Sequence, residues 1–166
     1  MPSWRLARPR ARSYSKDFEQ LMKPADGVDI SVEREPRPED VRTLEQKLYD
    51  YNVEVTGIAD GELLGVFLKT TDGILAGGAF GWTWGGTCHI RHLFVTAHLR
   101  RQGHGTRLMH AVEAEARARG CGQMLLETHD FQAPEFYRKL GFKVTSVVDR
   151  YPRGHQYLSF LKRLEG

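Results

Sequence analysis

Two cysteines in 166 residues, Cys88 and Cys121, are too few for a disulfide framework, and neither belongs to a Cys-X-X-Cys pair. That scarcity predicts a reducing, cytoplasmic setting. No apolar run approaches the roughly 18 residues that span a bilayer, so no membrane partner is expected. A strong excess of one charge is missing too. Lys and Arg number 24 against 21 Asp and Glu, and a net charge of +3 is too small to argue for nucleic acid. What excess there is sits at the start, where Arg5, Arg8, Arg10 and Arg12 precede the first acid, Asp17. An Arg-rich, acid-poor leader resembles a transit peptide, but Pro2 and Pro9 interrupt any amphipathic helix there. Residues 1–27 are therefore expected to form an extension ahead of one domain, 28–166. Internal repeats and low-complexity tracts are absent. Despite seven histidines there is no His-Glu-X-X-His and no paired Cys/His spacing, so no metal is expected.

What is present is an alternation of strand and helix patterns in a chain long enough for its own core. VDISVERE, Val28 to Glu35, predicts a strand, and PRPED then opens a helix with an apolar stripe at Val41, Leu44 and Leu48. The piece from Tyr49 to Ile58 reads as less regular. ELLGVFLKT, a turn at Thr71-Asp72-Gly73, and ILAGGAFGWTW predict a hairpin, and Gly85-Gly86 turns the chain into TCHIRHLFV, Thr87 to Val95. A helix over Thr106 to Arg119 stops at Gly120. GQMLLETH, the short helix APEFYRKL, FKVTSVVD and HQYLSFLKRL follow. The order implies a mixed α/β sheet with helices on its faces.

Between the Thr87–Val95 strand and the next helix lies LRRQGHGTRLM. Gly103 and Gly105 let the backbone turn tightly, and a helix starting there would offer unpaired N–H groups and a positive dipole end to an anion. By itself this is either a phosphate cradle or a plain strand-to-helix turn. Its context decides. The order of strand, Arg-Arg-Gln-Gly-His-Gly, helix, strand, and short helix ending Tyr-X-X-Leu-Gly-Phe strongly resembles the GNAT superfamily of acetyl-CoA-dependent N-acetyltransferases. Arg100, Gly103 and Gly105 match the pyrophosphate-binding signature of that superfamily. Ala133, Tyr137, Leu140, Gly141 and Phe142 match its second motif. The resemblance covers the chain from about Val28 onward and implies the GNAT fold, a central mixed, twisted sheet of about seven strands flanked by helices.

Two features depart from the pattern. Asp130 stands where many members carry Asn, seven residues before the tyrosine, and TCHIRHLFV lacks the acid often found near its middle.

The resemblance implies direct attack of a primary amine, first of all that of a small molecule, on the acetyl thioester in a ternary complex. The pyrophosphate would lie on the N–H groups of Arg101, Gln102, Gly103, His104 and Gly105, with Thr106 at the helix start and Arg100 adding charge. Phe94 and Val95 would offer backbone groups, one of which polarises the thioester carbonyl. Tyr137 would be the general acid; its alternative is a core aromatic beside Phe136. No base is obvious. Alternation places His89, Arg91 and Leu93 on one strand face, which makes His89 the first candidate, with His92 replacing it if a bulge reverses the facing. Glu127 and Asp130 could attract an ammonium group or accept its proton, and a water chain is a further route. Glu54, Trp82, Trp84, Arg91, Tyr151, Arg153 and His155 are candidates for shaping the acceptor pocket, each with a plain packing or surface role beside it. The missing base and Asp130 leave room for an acyl-CoA-binding sensor without catalysis, and a protein or peptide amine is an alternative acceptor. Homodimers are frequent in the superfamily.

Overall fold

The stripe of Val41, Leu44 and Leu48 continues at the same spacing through Tyr51 and Val55. The computed structural model, which describes residues 27–164, accordingly runs one helix, α1, over Pro38–Thr56. The irregular piece expected from Tyr49 is thus helical for two further turns. The first residue able to stop it is Gly57, at φ 71, whose N–H donates to Val53 O at 2.8 Å. Glu39 and Asp40 occupy the first turn, where the helix dipole favours acids, and Arg37 holds Asp40 in a fork of 2.8 and 3.0 Å. The chain divides after Leu48 into two compact units. In the described part of the first, the strand expected over Val28–Glu35 does not form. Val28 makes a single bridge, and Val28, Ile30 and Val32 are exposed. Alternation supplies a strand's apolar face but not the neighbouring strand that would make it stable.

The second unit carries six strands: β1 (Glu62–Lys69), β2 (Leu75–Trp84), β3 (Thr87–Val95), β4 (Gln123–His129), β5 (Lys143–Asp149) and β6 (Gln156–Arg163). They form one sheet in the order β1-β2-β3-β4-β6-β5, so six strands are described where about seven are expected. Gly85 and Gly86, at φ 54 and 74, supply the two positive φ angles of a tight β2–β3 hairpin. All pairings are antiparallel except β3 with β4. A parallel pair needs a crossover, and α2 (His104–Ala118) provides it.

Helix α2 buries Leu108, Met109, Val112 and Ala116 against one sheet face. Leu64, Ala79, Ile90, Met124, Leu126 and Phe160 complete that core, with Tyr137 and Phe142 from the region of the short helix α3 (Pro134–Lys139). Polar ties fix α2 in place. Lys162 Nζ donates to Glu113 Oε2 at 2.6 Å, and Arg119 Nη1 donates to Leu63 O at 3.1 Å and Thr83 Oγ1 at 3.3 Å. The opposite sheet face carries Trp82, Trp84, His89, Leu125 and Glu127.

Candidate active site

Strands β3 and β4 stay paired for only four register positions, Thr87↔Gln123 to Ile90↔Leu126. Beyond them β3 runs on to Val95 and β4 to His129, so their C-terminal ends part. The gap lies outside the carboxyl ends of two parallel strands, the usual ligand position in open α/β sheets. Thr96 N–H donates to Ala76 O on the β2 side at 2.9 Å. By alternation the backbone of Val95 points the other way, toward the gap. Its carbonyl accepts Arg100 Nε at 2.8 Å. Phe94 O is instead directed over Gly77, where an added Cβ would approach it to 2.6 Å. Of the two expected backbone contributors, Val95 is the one aimed into the gap.

The loop from Arg100 leads straight into α2. The helix begins at His104, two residues earlier than the Thr106 start expected, with Gly103 as its N-cap in the left-handed region at φ 81. Arg101 is also left-handed, at φ 61, an uncommon conformation for a residue with a Cβ. No side chain caps the helix, so its first N–H groups are left for another acceptor. Thr96 Oγ1 and His104 Nδ1, at the two ends of the connection, are buried without a hydrogen-bond partner among the described residues. Arg100 lies 5.6 Å over the Phe94 ring, and Gln102 Nε2 donates to His98 O at 2.8 Å. Gly105 sits against Phe136, whose ring would meet an added Cβ at 3.4 Å. Thr106 is in the first helical turn. These features suit a diphosphate: uncapped donors, a left-handed loop and flanking arginines.

On the face away from α2, His89 Nε2 and Glu127 Oε2 are 2.9 Å apart, with side chains 22% and 26% exposed. The pair is cross-strand: His89 registers with Leu125, and Glu127 follows two residues later on the same face. The His89 ring also meets Trp82 edge-on at 4.5 Å. Ile58, Trp82, Trp84, Gly85, Thr87, His89 and Leu125 line a pocket of about 340 Å³ beside it. Trp84 Nε1 donates to Ile58 O at 3.0 Å, which fixes one wall.

The expected facing of β3 is corrected here. Pairing with β2 steps from Ile90↔Gly81 to His92↔Phe80, so Arg91 has no partner and forms a bulge. Alternation restarts after it. His92 therefore shares the face of His89 and stacks on Phe80 at 6.3 Å, while Leu93 joins the core side opposite Ala79. Arg91 is exposed. Gly81 makes the bulge possible, because a Cβ there would run into the His89 carbonyl oxygen.

Tyr137 is 8% exposed and sits on α3 among Phe136, Phe142 and Phe160, with ring separations of 5.2, 6.1 and 5.9 Å. Burial pushes its phenol up to about 12, so it holds its proton throughout neutral pH. It belongs to the α2 side of the sheet and His89 to the other. The structure does not bring them into contact. Pro134 at the helix start and Gly141 at φ 88 beyond its end frame this turn. Cys88 and Cys121 are buried and free, and burial pushes the Cys88 thiol up to about 11.

Past Glu127, the end of β4 carries a feature spread too widely along the sequence to be read from it. His129 contacts Phe131 at 5.0 Å, Tyr157 at 4.9 Å and Tyr151 at 5.4 Å. Phe131 in turn meets His155 at 4.8 Å, and His155 Nδ1 lies 3.1 Å from Asp130 Oδ1. Asp130 and His155 are thus brought together; Glu54 is exposed near the end of α1 and joins no described contact of the site. Tyr151 and His155 are marked in the sequence as candidates for shaping the acceptor pocket; for His129, Phe131 and Tyr157 the signal is compositional only.

Among the described residues no helix is long and apolar enough to cross a membrane, and no three His, Cys, Asp or Glu side chains converge on a metal position. Blasticidin-S acetyltransferase of Streptomyces morookaense is 42% identical over 86 residues, which are 49% of this chain and 61% of that protein. The chain therefore spans less than two thirds of that relative. An acetyltransferase of Agrobacterium fabrum is 31% identical over 101 residues, covering 61% of this chain and 74% of the relative. The crystal structure of an acetyltransferase from Bacillus cereus superposes with a TM-score of 0.68 at 31% identity, over 81% of this chain and 98% of that one. A model of the acetyltransferase (GNAT) family matches residues 26–142. A split parallel pair, a glycine-started helix beside it and a match over most of the chain agree: the protein belongs to the acetyltransferase (GNAT) family.

Proposed function

We propose that the chain transfers the acetyl group of acetyl-CoA to a primary amine of a small molecule, by direct attack with both substrates bound. The observation that carries this reading is the His89–Glu127 pair at 2.9 Å, set beside the last paired position of β3 and β4. Acetyl-CoA, when bound, supplies an acetyl thioester. Its diphosphate fits the N–H groups from Arg101 to Gly105 and the helix start at Thr106, with Arg100 and Arg101 adding charge. The Val95 backbone, aimed into the gap, would orient the thioester as an added strand and polarise its carbonyl.

With Nε2–H donated to Glu127, the basic lone pair of His89 is on Nδ1, and Glu127 stabilises the imidazolium formed when Nδ1 takes the amine proton. The amine nitrogen forms its bond to the acetyl carbon as the carbon–sulfur bond breaks. Tyr137 gives its proton to the departing thiolate, for which a neutral phenol is required. Burial of both cysteines, with Cys88 raised to about 11, argues against an acyl group carried on the protein. A small-molecule acceptor is supported by likeness to the blasticidin-S acetyltransferase and by the modest pocket at Trp82 and Trp84.

The test is release of coenzyme thiol from acetyl-CoA across a panel of amines. Amine-dependent release that falls about 10²-fold or more in His89→Ala is the expected result. Tight acetyl-CoA binding without release on any small amine or short peptide would move the protein to a sensor role.

A further inference from the structure

The rings at the end of β4 are held open rather than packed away. Phe131 and Tyr151 are each 55% exposed, although both contact His129. Rings recruited for packing lose most of their surface, and these keep more than half; an exposed aromatic patch marks a binding surface. The segments that present them are braced. Gln132 Oε1 accepts from Thr128 Oγ1 at 2.8 Å and from His129 N–H at 2.9 Å, closing the turn on which Phe131 stands. Tyr151 N–H donates to His155 O at 3.2 Å, and Gln156 Nε2 donates to Asp149 Oδ1 at 2.8 Å, closing the loop that carries Tyr151. Asp130 N–H donates to Gln156 O at 3.0 Å and locks the two segments together. Such a surface pays little ordering entropy when it takes up a ligand.

The cluster also continues the reactive face. Glu127 and His129 are alternate residues of β4, and Tyr157 registers with His129 as Ser159 does with Glu127. The rings thus begin one residue pair beyond the carboxylate that partners His89. We infer that Phe131, Tyr151, Tyr157 and His129 form an acceptor subsite for a planar aromatic ring carried by the amine, with Asp130 and His155 offering an acceptor and a donor to polar groups on the ring edge. Its meaning as an acceptor site rests on the acetyl-transfer reading; its existence as a ring site does not.

The experiment measures binding before turnover. Calorimetry with 2-phenylethylamine and with hexylamine compares one amine with and without a ring at similar length. The expected result is at least tenfold tighter binding of the aryl amine. That ratio should fall about tenfold in Tyr151→Ala and in Phe131→Ala. Phe131→Leu, which keeps an apolar side chain and removes the ring, should behave like Phe131→Ala, and thermal unfolding reports whether each variant folds. Equal affinity for the two amines, or a ratio that survives the substitutions, overturns the ring site. Coenzyme release with the same amines separates the two readings. Ring-selective binding, with no release from these or any other amine of the panel, leaves the subsite and removes acetyl transfer; release without ring selectivity does the reverse.

Discussion

No hydrogen bond to the Tyr137 hydroxyl is found among the described residues. Tyr137→Phe therefore removes a proton donor while leaving the ring contacts to Phe136, Phe142 and Phe160 in place. Turnover should fall about 10²-fold, the range of a lost general acid, with acetyl-CoA affinity nearly unchanged. Retained kcat would remove Tyr137 from the chemistry. The pH argument has a definite sign. Burial raises the phenol from 10.0 to about 12, so the neutral side chain's contribution to folding is complete below pH 10 and is lost as pH climbs through 12. Ultraviolet titration of phenolate should show Tyr137 ionising last in the native protein, with Tyr157 also raised by burial, and that last step missing from the Phe variant. At His89 the expectation differs in kind. His89→Ala should lower kcat/KM by about 10²–10³-fold and remove a limb of the pH–rate profile, and Glu127→Gln should lower it less while the histidine remains. An unchanged profile in His89→Ala would assign proton removal to another group.

Two glycines matter at the level of elements, for different reasons. Gly103 has open space around it, and its requirement is conformational: φ 81 at the cap of α2. Gly103→Val should cost about 1–2 kcal/mol of stability through the left-handed backbone and weaken acetyl-CoA binding more steeply, read by calorimetry. Unchanged affinity would detach the loop from the diphosphate. Gly81 is the reverse case, ordinary in backbone but without room, because a Cβ would strike the His89 carbonyl oxygen. Gly81→Ala should destabilise by about 1–3 kcal/mol in urea unfolding and displace His89 from Glu127. Element boundaries were largely legible because alternation and glycine punctuation are local properties: Thr87–Val95 was read as it stands. The continuation of α1 past Tyr49, against the irregular piece expected there, follows the spacing that Tyr51 and Val55 carry onward. The bulge at Arg91 was illegible, since an unpaired residue exists only relative to its neighbour β2.

For the whole molecule, the core on the α2 face sets stability. Phe160 is 0% exposed and stands between α3 and the sheet, so Phe160→Ala should cost about 3–5 kcal/mol, seen as a fall in the urea midpoint with little change in slope. A small loss would mean that the site collapses around the gap. The cradle and the tyrosine were readable because their motifs are contiguous in sequence. The His89–Glu127 pair was not, as 38 residues separate partners that only the parallel register unites. The ring cluster needed both the β4–β6 pairing and the loop after β5, and alternation says nothing of either.

The four shared positions of β3 and β4 have a mechanical consequence. Among the described strands they are the one stretch of backbone ladder that joins a leaf made of β1, β2 and β3 to a leaf made of β4, β6 and β5. Bending stiffness along a sheet comes from its ladder, so compliance is concentrated where the ladder is shortest. A donor lying against Val95 would act as a splint across the unzipped length, and the leaves would flex most when that splint departs.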